Sequence, residues 1–211
     1  MEIAVGKFIV FEGIDGSGKT TQAKKLYEYL KNKGLKTVLT KEPGGTDIGK
    51  EIRKILLSKD YNIPPIAELL LYEADRNIHT STFVKPKLHN GYFVISDRYI
   101  YSTLAYQSFG RGIDRNIVDY LNSLATEDLK PDIVFLLDIP VEEGLNRIGK
   151  IRDKDRIEKE DINFHLKLRE GFLKLAEENR DIFCVIDGTD NINSIFDKIL
   201  NILKERKLIQ L

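Results

Sequence analysis

Residues Phe11 to Gln22 read FEGIDGSGKTTQ, and this stretch decides how the rest of the chain is interpreted. Within it, residues 13–20 match the phosphate-binding pattern G-x-x-x-x-G-K-[ST], between a strand-like apolar run and a segment with helical spacing. Glycines let backbone N–H groups converge on phosphate oxygens, and the helix that follows adds its positive end. The stretch therefore predicts a nucleoside triphosphate site. The residues expected at the nucleotide are Gly13, Ile14, Asp15, Gly16, Ser17, Gly18, Lys19, Thr20 and Thr21.

The composition of the 211-residue chain limits the partners and the cellular location that can be expected for it. Lys+Arg and Asp+Glu both number 33, and this balance disfavours nucleic acid or an anionic membrane as a partner. The length suits one domain, expected over residues 1–211. A single cysteine excludes an intrachain disulfide. The first residues lack the features of a signal peptide, and no apolar run is long enough to span a bilayer, so we expect a cytoplasmic protein.

Apolar runs alternate with helical patterns along the chain. The strand-like runs are KFIVFE, KTVLTKE, YFVISD, DIVFLLD and FCVID, and the helical patterns cover residues 19–33, 47–58, 65–83, 163–178 and 192–207. Continuous apolar strands separated by helices are typical of a parallel sheet with helices on both faces. The pattern thus predicts an α/β fold of the P-loop NTPase type with a five-stranded parallel sheet. The carboxyl ends of its strands, and the functional loops, should share one edge.

The phosphate loop alone leaves the class of nucleotide-binding protein open. A GTPase would need an N-K-x-D motif after a later strand, whereas NKGL at Asn32 lacks the aspartate and ends the first helix. A remodelling ATPase is usually larger. A small kinase that acts on a metabolite fits the length best, and it needs a second site for its acceptor.

Three more stretches mark such a second site. They are EPGGTDIGKEIRKIL (42–56), LLLYEADR (69–76) and DRYIYSTLAYQ (97–107). Together with FEGIDGSGKTTQ, and in this order, they resemble the thymidylate kinase family. The resemblance implies phosphorylation of dTMP to dTDP by ATP with Mg²⁺, and a homodimer. Because the acceptor phosphate is already an anion, we expect direct in-line transfer without a covalent enzyme intermediate.

An anionic acceptor needs positive donors beyond the phosphate loop. Arg53 and Arg98 follow strand ends and can grip a monophosphate through paired hydrogen bonds, and the resemblance implies that both hold the dTMP phosphate. Tyr72 and Arg76 lie four residues apart on a predicted helix and so share a face. The resemblance implies that Tyr72 stacks on thymine and that Arg76 reads its O4 atom. The alternative is a Tyr/Arg pair on the surface of the helix.

The third stretch adds candidates for the sugar and base. Tyr106 and Gln107 resemble residues that line the deoxyribose and the base. Ser102 matches a position near the base, but it could equally be a helix N-cap. Asp15 resembles an acidic residue that faces the acceptor and accepts a hydrogen bond from the 3′-hydroxyl.

Two oxygen ligands are expected for the metal. The Thr20 hydroxyl follows Lys19 in the loop, where such a residue coordinates Mg²⁺ and the lysine reaches the outer phosphates. Asp97 ends an apolar strand, which is the usual position of a carboxylate that holds Mg²⁺ through water. The alternative for Asp97 is a structural cap.

The very charged segment 147–161 is interpreted as a lid. Some members of the family carry a basic residue directly after the loop's acidic residue; Gly16 stands there, and members with glycine place basic residues in the lid instead. We favour Arg152 at the transferring phosphoryl group over the alternatives Arg156 and Lys150, which makes Lys19, Asp97, Arg98 and Arg152 the predicted catalytic residues. Arg147 resembles the residue that stacks on adenine. Charge runs are otherwise usually solvated surface loops.

Two other functions stay open at this point. One is a different P-loop pyrimidine nucleotide or deoxynucleoside kinase, although two phosphate-gripping arginines would be superfluous for a deoxynucleoside. The other is a regulator that binds ATP without acceptor-dependent turnover.

Overall fold

The computed structural model of the protein describes residues 6–150 and 155–209. Arg152, the favoured arginine for the transferring group, therefore lies outside the described residues, as does Lys154.

A single sheet organises the described part of the chain. Its strands are β1 (Lys7–Glu12), β2 (Thr37–Lys41), β3 (Phe93–Asp97), β4 (Ile133–Asp138) and β5 (Phe183–Asp187). They are parallel and run in the order β2-β3-β1-β4-β5. The register places Phe11 of β1 beside Asp97 of β3, so the phosphate loop after β1 starts next to the end of β3. The predicted α/β fold with a five-stranded parallel sheet is confirmed.

Helices cover both faces of the sheet. They are α1 (Lys19–Asn32), α2 (Asp47–Leu57), α3 (Pro65–His79), α4 (Lys85–His89), α5 (Ile100–Thr103), α6 (Arg115–Thr126), α7 (Val141–Gly149), α8 (Ile162–Glu178) and α9 (Ile192–Glu205). Side chains alternate between the faces of β1: Phe8 and Val10 join one core cluster, while Ile9 and Phe11 join the other. All four are essentially inaccessible to water, which explains the continuous apolar sequence of the strand.

Two helical regions differ from the predicted pattern. The helix predicted over residues 65–83 ends at His79, and the chain continues through a π-helical segment, Thr80–Val84, into α4. Pro86 lies in the first turn of α4, directly after the π-helical segment. The stretch after β3 forms α5 and a second π-helical segment, Leu104–Gly110.

An apolar face remains exposed on one side of the molecule. In α2, Leu56 is buried, whereas Ile48 is 60% and Ile55 is 43% exposed. Neighbouring helices α3 and α6, which pack side by side, expose more large apolar side chains. The face comprises Ile48, Ile55, Ile66, Leu70, Ile117, Tyr120 and Leu124.

None of the helices in residues 6–150 and 155–209 combines the length and apolarity that crossing a bilayer requires.

Candidate active site

The phosphate loop has the backbone that its glycines permit. Gly13, Gly16 and Gly18 have φ angles of 137°, 80° and 96°, values that residues with a side chain rarely adopt. The ammonium of Lys19 lies across the loop, 2.8 Å from the carbonyl oxygen of Ile14. Burial lowers the pKa of Lys19 to about 8, with the Arg98 guanidinium acting in the same direction.

The loop packs tightly against helix α7. A Cβ atom on Gly16 would lie 2.3 Å from the carbonyl oxygen of Gly144, and one on Gly144 would lie 2.5 Å from the carbonyl oxygen of Asp15. Neither distance is compatible with ordinary packing, so both glycines are required by this contact. The basic side chain that some members of the family carry after the acidic residue has no room at position 16 of this chain.

Thr20 and Asp97, the predicted metal ligands, are direct neighbours. The Thr20 hydroxyl donates a hydrogen bond to the Asp97 carboxylate. The pairing of β1 with β3 explains their proximity, since it brings the end of β3 to the start of the loop. The two side chains thus present adjacent oxygen atoms of the kind that hard divalent cations prefer.

Asp15, the carboxylate inside the phosphate loop, forms an ion pair with Arg98 and a hydrogen bond with Tyr106. Arg98 Nη2 donates to Asp15 Oδ1 at 2.5 Å, and the Tyr106 hydroxyl donates to Oδ2 at 2.7 Å. Burial opposes ionisation of Asp15, but the charges of Arg98 and Lys19 overcome it and hold its pKa well below the usual range. The loop therefore carries an ion pair rather than an isolated negative charge.

Glu12 is a site residue that the sequence analysis missed. It is inaccessible to water and accepts hydrogen bonds from the backbone N–H groups of Tyr99 (2.8 Å) and Ser102 (3.1 Å) and from the Ser102 hydroxyl (2.6 Å). These bonds hold the turn in which Arg98 adopts a φ angle of 77°. Burial raises the pKa of Glu12 to about 7, against the attraction of Arg98. Its signal in the sequence was an acidic residue ending a buried strand, as at Asp97.

Ser102 is not a helix N-cap. It lies within α5, where its hydroxyl donates to Glu12 and accepts a hydrogen bond from Arg98 Nη1 at 2.9 Å. The serine therefore links Glu12 to Arg98.

Two clefts open at the carboxyl edge of the sheet. The first, called the loop cleft, is lined by the phosphate loop with Gly16, Ser17, Gly18, Lys19, Thr20 and Thr21, by Asp97, Arg147, Ile148 and Lys150, and by Gly188, Asp190 and Asn191. The second, called the inner cleft, is lined by Pro43, Leu57, Tyr72, Asp75, Arg76, Ser102, Thr103, Tyr106, Gln107, Asp155 and Ile157. Asp15, Glu42, Arg53, Arg98 and Glu158 line both. The two clefts therefore meet at these shared residues.

Gly13 and Ile14 contribute carbonyl oxygens rather than cleft surface. The Gly13 oxygen accepts from Arg98 Nη1 at 3.1 Å, and the Ile14 oxygen accepts from Lys19. These two predicted nucleotide-site residues therefore position the cationic side chains of Arg98 and Lys19.

Tyr72 and Arg76 face the inner cleft from one side of α3, as their spacing predicted. They are not a pair on the helix surface, because Arg76 is only 2% exposed. Its guanidinium has a full set of local partners, namely Glu42 (2.8 Å), Glu73 (2.8 Å), Thr103 (2.5 Å), Asn122 (2.9 Å) and the carbonyl oxygen of Tyr99 (3.2 Å). None of these contacts was predictable from the spacing of residues in α3. Recognition of a base by Arg76 stays a prediction.

Arg53 approaches the same region from α2. Its Nη1 donates to the carbonyl oxygen of Pro43 at 2.9 Å, and its stem packs against Gly44, where an added Cβ would lie 3.0 Å from Arg53 Cδ. Asp75 holds this turn by accepting a hydrogen bond from the Gly44 N–H at 3.1 Å. The Glu42–Pro43 peptide bond is cis.

Basic residues of the predicted lid segment lie in two different places. Arg147 donates to the carbonyl oxygens of Gly16 and Gly188, both at 3.2 Å, and lines the loop cleft with Lys150. Arg156, an alternative for the transferring group, instead pairs with Glu68 on α3. Gln107 donates to the same carboxylate at 2.9 Å.

Known proteins resemble this chain over most of its length. A family model described as Thymidylate kinase matches residues 11–199. A curated protein named thymidylate kinase from Sulfurihydrogenibium sp. (strain YO3AOP1) is 60% identical over 206 residues, covering 97% of this chain and 100% of the relative. One of that name from Carboxydothermus hydrogenoformans is 46% identical, covering 94% and 97%. The crystal structure of thymidylate kinase from Ehrlichia chaffeensis has a TM-score of 0.78 and 36% identity, covering 94% and 98%.

Proposed function

Because this chain belongs to the thymidylate kinase family, we propose that its two clefts hold the two substrates of the family's reaction. That reaction, ATP + dTMP → ADP + dTDP, is the activity of this chain. The observation that carries the assignment of the clefts is their shared wall. Asp15, Arg53 and Arg98 line both, so a donor and an acceptor phosphate bound on either side would meet beside two guanidinium groups.

We assign the loop cleft to ATP. The glycine-rich loop 13–20 and the N-terminus of α1 suit the phosphates, because such a loop offers backbone N–H groups to phosphate oxygens, and we propose that Lys19, which lines the same cleft, reaches the outer ones. Arg147, which donates to the carbonyl oxygens of Gly16 and Gly188, lines the same cleft, and its planar guanidinium suits stacking on the adenine. Gly13, Ile14 and Thr21 complete the proposed nucleotide site.

We assign the inner cleft to dTMP. Arg53 and Arg98 line both clefts, where its phosphate would approach the loop cleft, and Tyr72 lines the inner cleft alone, where an aromatic ring can stack on thymine. Asp15 and Tyr106 are hydrogen-bonded to each other beside Arg98 and suit the sugar. Arg76, Ser102 and Gln107 line the remaining surface and suit the base end.

We propose Mg²⁺ as the divalent metal of the reaction, held by Thr20 and, through water, by Asp97. The adjacent hydroxyl and carboxylate oxygens fit this ion. Mg²⁺ bound there would offset the negative charge of the phosphates.

Transfer itself requires positioning and positive charge more than a protein nucleophile. We propose that Lys19 and Arg98 flank the transferring group and that Arg152 completes the charge around it. In-line attack by the acceptor phosphate oxygen on the γ-phosphorus forms one P–O bond as the bond to ADP breaks. No covalent enzyme intermediate is needed.

We also propose a homodimer that buries the apolar face of α2, α3 and α6. Exposed apolar side chains on three neighbouring helices are typical of a protein–protein interface. Because the family resemblance implies a homodimer, we propose that a second copy of this chain binds there. Light scattering should give the dimer mass for the wild type and the monomer mass for Leu70→Glu or Leu124→Glu. A monomeric wild type would contradict this assignment.

Residues 1–211 are proposed to form one kinase domain, and the cytoplasm is its proposed location. With zero net charge, nucleic acid is not a proposed partner.

An acceptor scan tests the cleft assignment. ADP release is measured with dTMP, dUMP, dCMP, UMP and thymidine at fixed ATP and Mg²⁺. We expect dTMP to give the highest kcat/KM and thymidine to give none, because thymidine offers no phosphate to Arg53 and Arg98. Equal turnover of thymidine would point to a deoxynucleoside kinase, and ATP binding without acceptor-dependent turnover would point to a regulator; the family assignment favours neither.

A further inference from the structure

A buried carboxylate outside the proposed substrate contacts joins three parts of the chain: helix α3, residues 107–111 and the segment that carries Arg156. Glu68, in the first turn of α3, is 1% exposed. It accepts hydrogen bonds from Gln107 Nε2 (2.9 Å), from Arg111 Nε (3.1 Å) and Nη2 (3.2 Å), and from Arg156 Nη2 (2.5 Å). Burial alone would raise its pKa, but these hydrogen bonds, with that of Arg111 first, hold the pKa below its usual range. Glu68 therefore stays charged at neutral pH.

Arg156 ties residues 155–160, called the wall segment here, to two helices at once. Its Nη2 pairs with Glu68 of α3, and its Nε donates to the carbonyl oxygen of Leu56 in α2 at 2.9 Å. A second tie runs from Arg111 Nη1 to Glu160 at 2.6 Å. The Ile157 side chain, between these two anchors, is only 4% exposed.

The anchored segment forms part of the inner cleft. Asp155, Ile157 and Glu158 line it together with residues of α2 and α3. Tyr72 follows Glu68 by one helical turn, and the charges of both Glu68 and Arg156 act on the Tyr72 hydroxyl. The ion pair thus lies next to the ring that we propose to stack on thymine.

We propose that Arg156 is a positioning residue for the acceptor, which fixes the wall segment against Glu68 so that the inner cleft is closed around dTMP. This role rests on the proposed assignment of dTMP to that cleft. It differs from the alternative in which Arg156 stabilises the transferring phosphoryl group, because the hydrogen bonds of the guanidinium are directed to Leu56 and Glu68. A residue that shapes only the acceptor cleft should change binding of dTMP and leave the chemical step intact.

The test compares Arg156→Met with the wild type and with Arg180→Met. Methionine keeps the apolar stem and removes the donors, and Arg180 is a matched control because its pair with Glu177 is exposed on both sides. We expect Arg156→Met to raise the KM for dTMP about tenfold, or about 1.4 kcal/mol. Its kcat and its KM for ATP should stay within about twofold of the wild type, as should every constant of Arg180→Met.

Two further variants separate positioning from a general loss of structure. Arg156→Lys keeps the charge but cannot bond Leu56 and Glu68 together, so its KM for dTMP should lie between those of the wild type and Arg156→Met. In a Glu68→Gln background, Arg156→Met should raise the KM less than threefold, because its partner's charge is already gone. Calorimetric binding of dTMP gives the same comparison without turnover.

The outcomes distinguish this inference from the function on which it rests. If Arg156→Met lowers kcat and leaves the KM for dTMP unchanged, Arg156 acts on the transferring group and the inference is wrong. If neither constant changes, the ion pair is irrelevant to the acceptor and the inference is wrong as well. Absence of dTMP turnover by the wild type would instead overturn the proposed function.

Discussion

Replacing Gly144 by alanine should impair catalysis although Gly144 lines neither cleft in our assignment. The added Cβ atom would lie 2.5 Å from the carbonyl oxygen of Asp15, while ordinary contact begins at 3.4 Å. The phosphate loop and α7 must therefore separate by about 0.9 Å, since both sides of this contact are held by backbone. Because Asp15 pairs with Arg98, a displacement of the phosphate loop also displaces Arg98, which lies where the two clefts meet.

The expected magnitude follows from that displacement. A misplacement of about 1 Å can lower the rate of an oriented reaction roughly 100-fold. We therefore expect kcat of Gly144→Ala to fall by about 30- to 100-fold, equivalent to about 2–2.7 kcal/mol of activation free energy. The free energy of unfolding should fall by about 1–3 kcal/mol through overpacking.

Gly149→Ala is the matched control, in the last turn of the same helix. Among the described residues, a Cβ atom at Gly149 meets no heavy atom within 4 Å. Steady-state rates with ATP and dTMP, together with thermal melting of both variants, give the comparison. We expect Gly149→Ala to keep the wild-type constants. Equal constants for Gly144→Ala and the wild type, or equal losses in both variants, would show that the loop–helix contact does not set the geometry.

Three other predictions address individual residues. Arg152→Ala should lower kcat by orders of magnitude with little change in either KM, because its proposed contact forms at the transferring group; a kcat close to the wild type would move that role to Lys150. Tyr72→Ala should raise the KM for dTMP roughly 5- to 150-fold, since stacking contributes about 1–3 kcal/mol per base. An unchanged KM would remove the stacking role. Glu12 should make the wild type less stable as pH rises: its folded pKa of about 7 lies above the unfolded value of 4.5, so the folded state binds the extra proton between these values. The free energy of unfolding should drop by about 3 kcal/mol between pH 4.5 and 7.5 relative to Glu12→Gln, and parallel profiles for the two proteins would contradict the assignment.

The parts of the fold that could be predicted are those set by the pattern of residues close together in the sequence. The phosphate loop, its strand and its helix are contiguous, so Lys19 and Thr20 could be placed from residue spacing alone. The position of Asp97 at the end of β3 followed from the rule that parallel strands end at one edge, and its side chain lies in contact with Thr20; its role toward the metal stays a prediction. The inner cleft needed the family resemblance, because its wall comes from separate segments.

The missed features depend on contacts between distant residues. At the start of the helix after Arg98, the N–H of Tyr99 donates to Glu12, which lies 87 positions earlier in the chain. No nearby residue in the sequence indicates such a cap. Arg76 bonds to Asn122, which is 46 positions away, so its burial was not visible in the sequence of α3. Helix α6 is different: it carries apolar residues at helical spacing, and the sequence analysis left it unassigned.

A crystal structure with a bisubstrate analogue, in which thymidine and adenosine are joined through phosphates, tests the assignment of the two clefts most directly. We predict the thymine ring against Tyr72, the thymidine-side phosphate between Arg53 and Arg98, and the adenosine beside Arg147. Density for the thymidine half outside the inner cleft, with both arginines turned away from its phosphate, would contradict the account.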